Sequence, residues 1–338
     1  MYIENKQFKR YISFWLSTMF IIISIMIIVG GLTRLTDSGL SITQWELFSG
    51  ILPPLSSSRW QKYFDLYKAI PEYKLQNFSM SLDEFKVIFW WEFIHRFLGR
   101  LIGILFLLPL IFFTIKLGFK KIRNLFFIFV LICIQGFIGW YMVSSGLVDR
   151  VDVSHYRLAL HLLLAFVILS LIFWNYLKYK RIQLPSKKIN NFLPLLLVLF
   201  LFIQLIMGAF VSGMDAGKIY NTWPLMGDTY FPDDNLITNL FNFSSLNEPS
   251  LVQFIHRNFA YIIMIFYLFI FFKVYKNKLS DYFKILNIIG VFLILQIFLG
   301  ILTLLSGAQM FLSSMHQISS IFLISSSIYF LYLNTKTS

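Results

Sequence analysis

Cysteine is all but missing. The single Cys133 sits in an apolar run, so no disulfide forms within the chain and no cysteine-ligated metal site can be built. A lone thiol in such a run is expected to be a small buried hydrophobe. Charge is scarce as well, at 13% of residues, with only 16 acidic side chains against 29 Lys and Arg. With 58% hydrophobic residues and 39 phenylalanines among 338, the composition excludes a soluble domain and points to an all-α polytopic membrane protein in a lipid bilayer. The net charge of +13 does not mark a nucleic-acid binder, because the basic residues fall in short loops between apolar spans. Proline is rare inside those spans. Pro109 and Pro194 occur at unmatched positions, which counts against a transporter built from paired broken helices. No Ala-x-Ala-like site follows the first apolar run, so Lys6, Lys9 and Arg10 flank an uncleaved first helix rather than a signal peptide.

Runs of roughly 20 mainly apolar residues are long enough to cross a bilayer. They fall at about 12–33, 88–115, 124–145, 156–177, 191–212, 251–272, 283–305 and 311–332, which predicts eight transmembrane helices. Lys6, Lys9, Arg10 and Lys336, together with the connections Lys116–Arg123, Lys178–Lys188 and Lys273–Lys284, put 17 of the 29 basic residues on one side. By the positive-inside rule that side, with both termini, is cytoplasmic. Of the acidic residues only Glu4 and Asp281 fall there. Two long loops, about 35–86 and 212–249, face out and keep Trp45, Trp60 and Trp223, the marks of loops with a function. A short amphipathic helix is expected around Ser56–Tyr67.

The chain repeats. Gln253-Phe254-Ile255-His256-Arg257 echoes Glu92-Phe93-Ile94-His95-Arg96 at an offset of 161, as Gln296-x-x-x-Gly300 echoes Gln135-x-x-x-Gly139. Gly31 and Asp37 align with Ala209 and Asp215, and a tryptophan follows each aspartate eight residues on. Two four-helix bundles, residues 1–182 and 183–338, are therefore expected to enter the membrane in the same sense, related by an axis along its normal.

Four of the five histidines, His95, His161, His256 and His316, fall in the even-numbered spans, about six to eight residues past each start. At 1.5 Å per residue they share a depth on the order of 10 Å below the outer boundary. One such histidine can be a core residue bonded to a carbonyl; four at one depth suggest ligands, since ionisable groups inside membranes are costly. Two facing imidazoles lack the third or fourth ligand usual for zinc or copper. Haem needs only two axial ligands and an apolar slot between helices. Arg96 and Arg257, and Arg157 four residues before His161, are placed to meet haem propionates. His155, at a loop edge, is expected to be solvated.

The halves differ. Glu92 precedes His95 by one turn where the second half has Gln253, and Arg100 is replaced by Tyr261. A carboxylate can take a proton and an amide cannot, although Glu92 is also placed to pair with Arg96 at i, i+4. The first half is expected to be reactive and the second to hold a permanent redox cofactor. An electron-transfer cytochrome b, doing no chemistry on its haem, is the main alternative; equal halves would favour it.

The runs Gly30–Ser41, Gly50–Leu55, Phe89-Trp90-Trp91-Glu92-x-x-His95-Arg96 and Tyr220–Met226 resemble haem A synthase, in the form found in alphaproteobacteria and mitochondria. Relatives with paired cysteines in the outer loops differ from this chain. The resemblance implies oxidation of the C8 methyl of haem O to the formyl group of haem A by two hydroxylations, with oxygen from water. It implies that His256 and His316 hold a haem b cofactor, that His95 and His161 bind the substrate iron, and that Glu92 lies near the reacting edge. It further implies a bacterial inner-membrane location, haem O synthase (a protohaem farnesyltransferase) as supplier, and an electron acceptor of unknown identity.

Overall fold

The computed structural model describes residues 6–46 and 49–335; Glu4 and Lys336, placed above on the cytoplasmic side, lie outside the described residues. Ten α-helices follow in order: α1 Lys6–Leu35, α2 Ser57–Lys68, α3 Pro71–Leu75, α4 Leu82–Leu117, α5 Phe119–Asp149, α6 His155–Lys180, α7 Phe192–Gly213, α8 Pro249–Lys276, α9 Phe283–Leu305 and α10 Met310–Leu333. Eight of them, all but α2 and α3, are long and apolar enough to span a membrane, as the hydropathy pattern predicts. Lipid offers no hydrogen bonds, so a spanning segment must satisfy its backbone within itself, and a helix does so. The expected amphipathic helix is α2, capped by Ser56 Oγ accepting from Arg59 N.

One boundary departs from the expectation. The second span begins at Leu82, not near residue 88, because Ser81 and Glu84 close a capping box that extends α4 outward. His95 thus lies thirteen residues past the start of its helix, not six to eight. At its other end α4 stops at Gly118, whose φ of +81° suits glycine and turns the chain at once into α5.

By proximity of Cα atoms the chain forms two compact units, the first built on Thr18–Leu169 and the second on Ser170 onward with Lys9–Ser17. In the first unit, α2 and α3 fold the outer loop onto the head of α4. Phe64, Tyr67, Phe85 and Phe89 pack there with Leu40, Ile42 and Val153, and the Trp60 ring meets Phe89 edge-on at 4.9 Å. Burying each such side chain contributes on the order of 1.5–3 kcal/mol. That packing fixes residues 40–46 against the helix that carries His95.

In the second unit α7 packs on α8 and α10, and α9 lies along α10. At the end of α10 far from His316, the buried Asn334 ties three segments together. Its Oδ1 accepts from Ile189 N at 3.0 Å and Tyr282 Oη at 2.8 Å, and its Nδ2 donates to Ile189 O and Asn191 Oδ1. The sequence repeat reappears in the backbone. Asp37 and Asp215, just past the ends of α1 and α7, both take left-handed φ values of 48° and 51°, which a short polar side chain tolerates.

Large apolar side chains such as Phe14, Ile115 and Phe272 point outward, where lipid tails take the place of a core. Cys133 belongs with them: it is exposed, not buried as expected, because that face of α5 has no protein neighbour. His155 is not solvated either. It is the first residue of α6, half-buried, with its ring 4.1 Å from that of Tyr156.

Candidate functional site: two imidazole pairs

His95 on α4 and His161 on α6 bring their ring centres to 6.4 Å, with planes at 50°. His256 on α8 and His316 on α10 stand at 6.5 Å and 79°. Two imidazoles sharing one metal place their ring centres about 6.3 Å apart, from two metal–nitrogen bonds of about 2.0 Å and about 1.1 Å from each nitrogen to its ring centre. Both pairs therefore have the separation of axial ligands on opposite faces of one iron. Among the described residues no group of three His, Cys, Asp or Glu could hold a metal ion, so a macrocycle that brings its own equatorial donors fits these pairs better than a bare cation.

Each ring rests on a glycine of the preceding spanning helix. A Cβ built on Gly30 would stand 2.8 Å from Cε1 of His95, and one on Gly139 2.9 Å from Cε1 of His161. On Gly208 and Gly300 the distances to His256 and His316 are 3.2 and 3.0 Å. Any side chain there displaces the ring. In all four rings Nδ1 is buried and has no hydrogen-bond partner. Leaving a buried polar atom unpaired costs about 1–3 kcal/mol, which sites that hold a ligand tolerate.

The arginines divide by role. Arg96 is fully engaged: it donates to Glu92 Oε1 at 2.5 Å, to Ile42 O at 2.8 Å and to Gln44 O at 3.3 Å, and it lies over the Trp45 ring. Arg157 donates to Ser145 Oγ and stacks on Tyr141, tied into the α5–α6 turn. Arg257 donates to the carbonyls of Pro224 and Leu225 and keeps a buried Nη1 without a partner. Arg100 does the same, donating to Glu46 O at 3.0 Å while its Nη1 stays unpaired. Buried guanidinium N–H groups without partners, one in each half, are placed to meet carboxylates such as haem propionates. Sequence reasoning noticed Arg100 only as a difference between halves. Its position one turn past Arg96 was the signal that it shares that face.

Glu92 is 3% exposed and takes three donors besides its helix: Ser41 Oγ and Ile42 N, both at 2.7 Å to Oε2, and Arg96 at Oε1. The pairing with Arg96 allowed by the spacing is present. The folded outer loop supplies the other two, which no local pattern announces. Gln253, the counterpart, donates to Tyr220 O at 3.1 Å, and its Oε1 has no partner. A second buried carboxylate, Glu72, lies in the outer loop, receiving Tyr67 Oη at 3.1 Å and Asn77 Nδ2 at 3.4 Å. Burial, with the charges of Glu92, Asp152 and Asp37 nearby, pushes its pKa up to about 8 against the opposing Tyr67 bond.

Eight spanning helices around two facing imidazole pairs define a membrane protein that handles haem. The chain belongs to the family described as Cytochrome oxidase assembly protein, whose model matches residues 13–328. It is 48% identical over 340 residues to a protein named Heme A synthase from Pelagibacter ubique, covering 99% of this chain and all of that one. Proteins of the same name from Rickettsia bellii and Flavobacterium johnsoniae are 43% and 39% identical, over 92% and 98% of this chain and 94% and 99% of their own lengths.

Proposed function

We propose that the chain makes haem A from haem O for cytochrome oxidase, as an oxidoreductase that converts the C8 methyl to a formyl group in two hydroxylations. Each hydroxylation takes up one water and gives up two protons and two electrons. The second yields a gem-diol that loses water, so four electrons and four protons leave for every formyl made. His95 and His161 hold the substrate iron in the half formed by residues 1–182. His256 and His316 hold haem b in the half formed by residues 183–338. When bound, haem b supplies a one-electron route toward an external acceptor.

The observation that carries this reading is the unequal surroundings of two equal pairs. Only the first has a carboxylate, Glu92, beside a ligand, and three donors fix its direction. Glu92 accepts a proton released at the methyl edge, while Arg96 keeps the carboxylate aligned. Arg257 meets the propionates of haem b; Arg100 and the Arg96–Glu92 pair form the corresponding edge of the substrate site. Apolar helix faces receive the tail of haem O from the bilayer, with haem O synthase as the donor. The basic loops set the chain in the bacterial cell membrane with both termini inside.

Extraction of haem from the purified protein tests the proposal. Haem b together with haem O or haem A is expected. Two haem b per chain, with neither of the others in cells that make haem O, would leave an electron-transfer cytochrome instead.

A further inference from the structure

Three of the four glycines that cradle the imidazoles share a feature the fourth lacks. Four residues before Gly139, Gly208 and Gly300 stand Gln135, Gln204 and Gln296, one turn away on the same helix face. Gln135 Nε2 donates to the backbone carbonyl of His161 at 3.0 Å, and Gln204 Nε2 to that of His256 at 2.9 Å. Gln296 reaches the ring itself, 3.3 Å from His316 Nε2. Ser319 Oγ bonds both its amide oxygen and the His316 carbonyl. In each case a side chain of one helix grips the ligand residue of the next. Before Gly30 the position belongs to Met26. Its Cε lies 3.6 Å from where a Cβ on Gly99 would stand, one turn past His95 on α4. Met26 occupies the same place against the ligand helix and has no N–H to donate.

We propose that Met26 makes His95 the exchangeable ligand: three imidazoles are clasped by glutamines, and the fourth is left unclasped so that the iron it holds can leave as product and be replaced. A clasp on a histidine's own carbonyl resists rotation and sliding of its helix against the neighbour, the motion by which a ligand ring withdraws from a metal. A cofactor that stays benefits from two clasped ligands. A substrate that must depart needs one ligand that yields, and His161, clasped by Gln135, keeps the site in register while His95 withdraws. Met26 is a positioning residue, since it acts through His95 and touches no reacting atom. This assignment rests on the reading of the first half as the substrate site, but its geometry does not.

The test measures loss of haem to apomyoglobin from the purified full-length protein reconstituted with haem b at both sites. His95→Ala and His256→Ala variants assign each phase to its pair. The His95/His161 phase is expected to be the faster. Met26→Gln should slow that phase on the order of tenfold, equal to about 1.4 kcal/mol, and leave the other unchanged. Met26→Leu should keep it fast. Gln204→Met should speed the His256/His316 phase by a similar factor while the low-spin bis-imidazole spectrum persists. Equal rates for wild type, Met26→Gln and Met26→Leu would overturn the proposal, as would a slower His95/His161 phase in the wild type. Because haem b fills both sites, these outcomes are independent of whether haem A is made, which the extraction experiment decides.

Discussion

Arg96 reaches back one helical turn to Glu92, and the pair is closed from above by the Ser41 hydroxyl and the Ile42 N–H. The carboxylate beside the first imidazole pair is therefore held by a loop as much as by its own helix. An amide in its place cannot accept from all these donors, since half of it donates. Glu92→Gln is expected to lower haem A formation by on the order of 10²–10³-fold, with substrate still bound and its low-spin spectrum retained. Wild-type turnover of the variant, measured by haem extraction over time, would remove Glu92 from the mechanism.

Ser41 gives a milder version of the same experiment. It contributes one of three donors, so Ser41→Ala should cost roughly tenfold in rate, in line with a bond to a charged acceptor worth about 1.5–3 kcal/mol. A variant with unchanged rate but lower thermal stability would show that the loop bond serves folding alone.

The glycine cradles predict a graded defect. Gly30→Ala places a methyl 2.8 Å from Cε1 of His95, and Gly208→Ala one at 3.2 Å from His256. Overpacking of this kind costs about 1–3 kcal/mol. Each variant should lose haem from its own pair only, with Gly30→Ala the more severe. Difference spectra of the purified proteins read this directly. Loss of both haems together from either variant would mean general misfolding.

Glu72 should make the outer loop sensitive to pH. Its folded pKa of about 8 lies above the 4.5 of the free side chain, so the folded state holds the proton that the unfolded state gives up. The stability it contributes is complete below about pH 4.5 and is lost as pH rises toward 8. Thermal melts in detergent from pH 5.5 to 9 should show a falling midpoint, and Glu72→Gln should flatten that slope. Parallel slopes for the two proteins would show that Glu72 is charged throughout.

Much of this arrangement can be read from the chain alone, for physical reasons that also mark the limit. The spans follow from the length of an apolar run against a bilayer, and the paired histidines from the expense of placing such groups in lipid. The early start of α4 escapes a hydropathy reading because Asp83, Glu84 and Lys86 interrupt the apolar run. The capping box of Ser81 and Glu84 carries the helix through them. Cys133 was misplaced because an apolar run says nothing about which face meets protein and which meets lipid. The glutamines show the boundary most clearly. Gln135 and Gln296 stand out as a repeat, but the carbonyl or ring each one reaches lies on another helix, and Gln204 joins them only once that contact is seen. Arg100 likewise gains meaning from an unpaired N–H, which no spacing records.

Asn334, far from either imidazole pair, decides how the protein can be handled. It knots the last turn of α10 to Ile189 and Tyr282, so the chain end is a latch. An affinity tag appended beyond Thr335 leaves that latch closed, whereas trimming the tail by five residues, Asn334 included, would open α10, the helix that carries His316. Reporter fusions for tracking the enzyme in living cells should therefore extend the carboxyl end and never replace it.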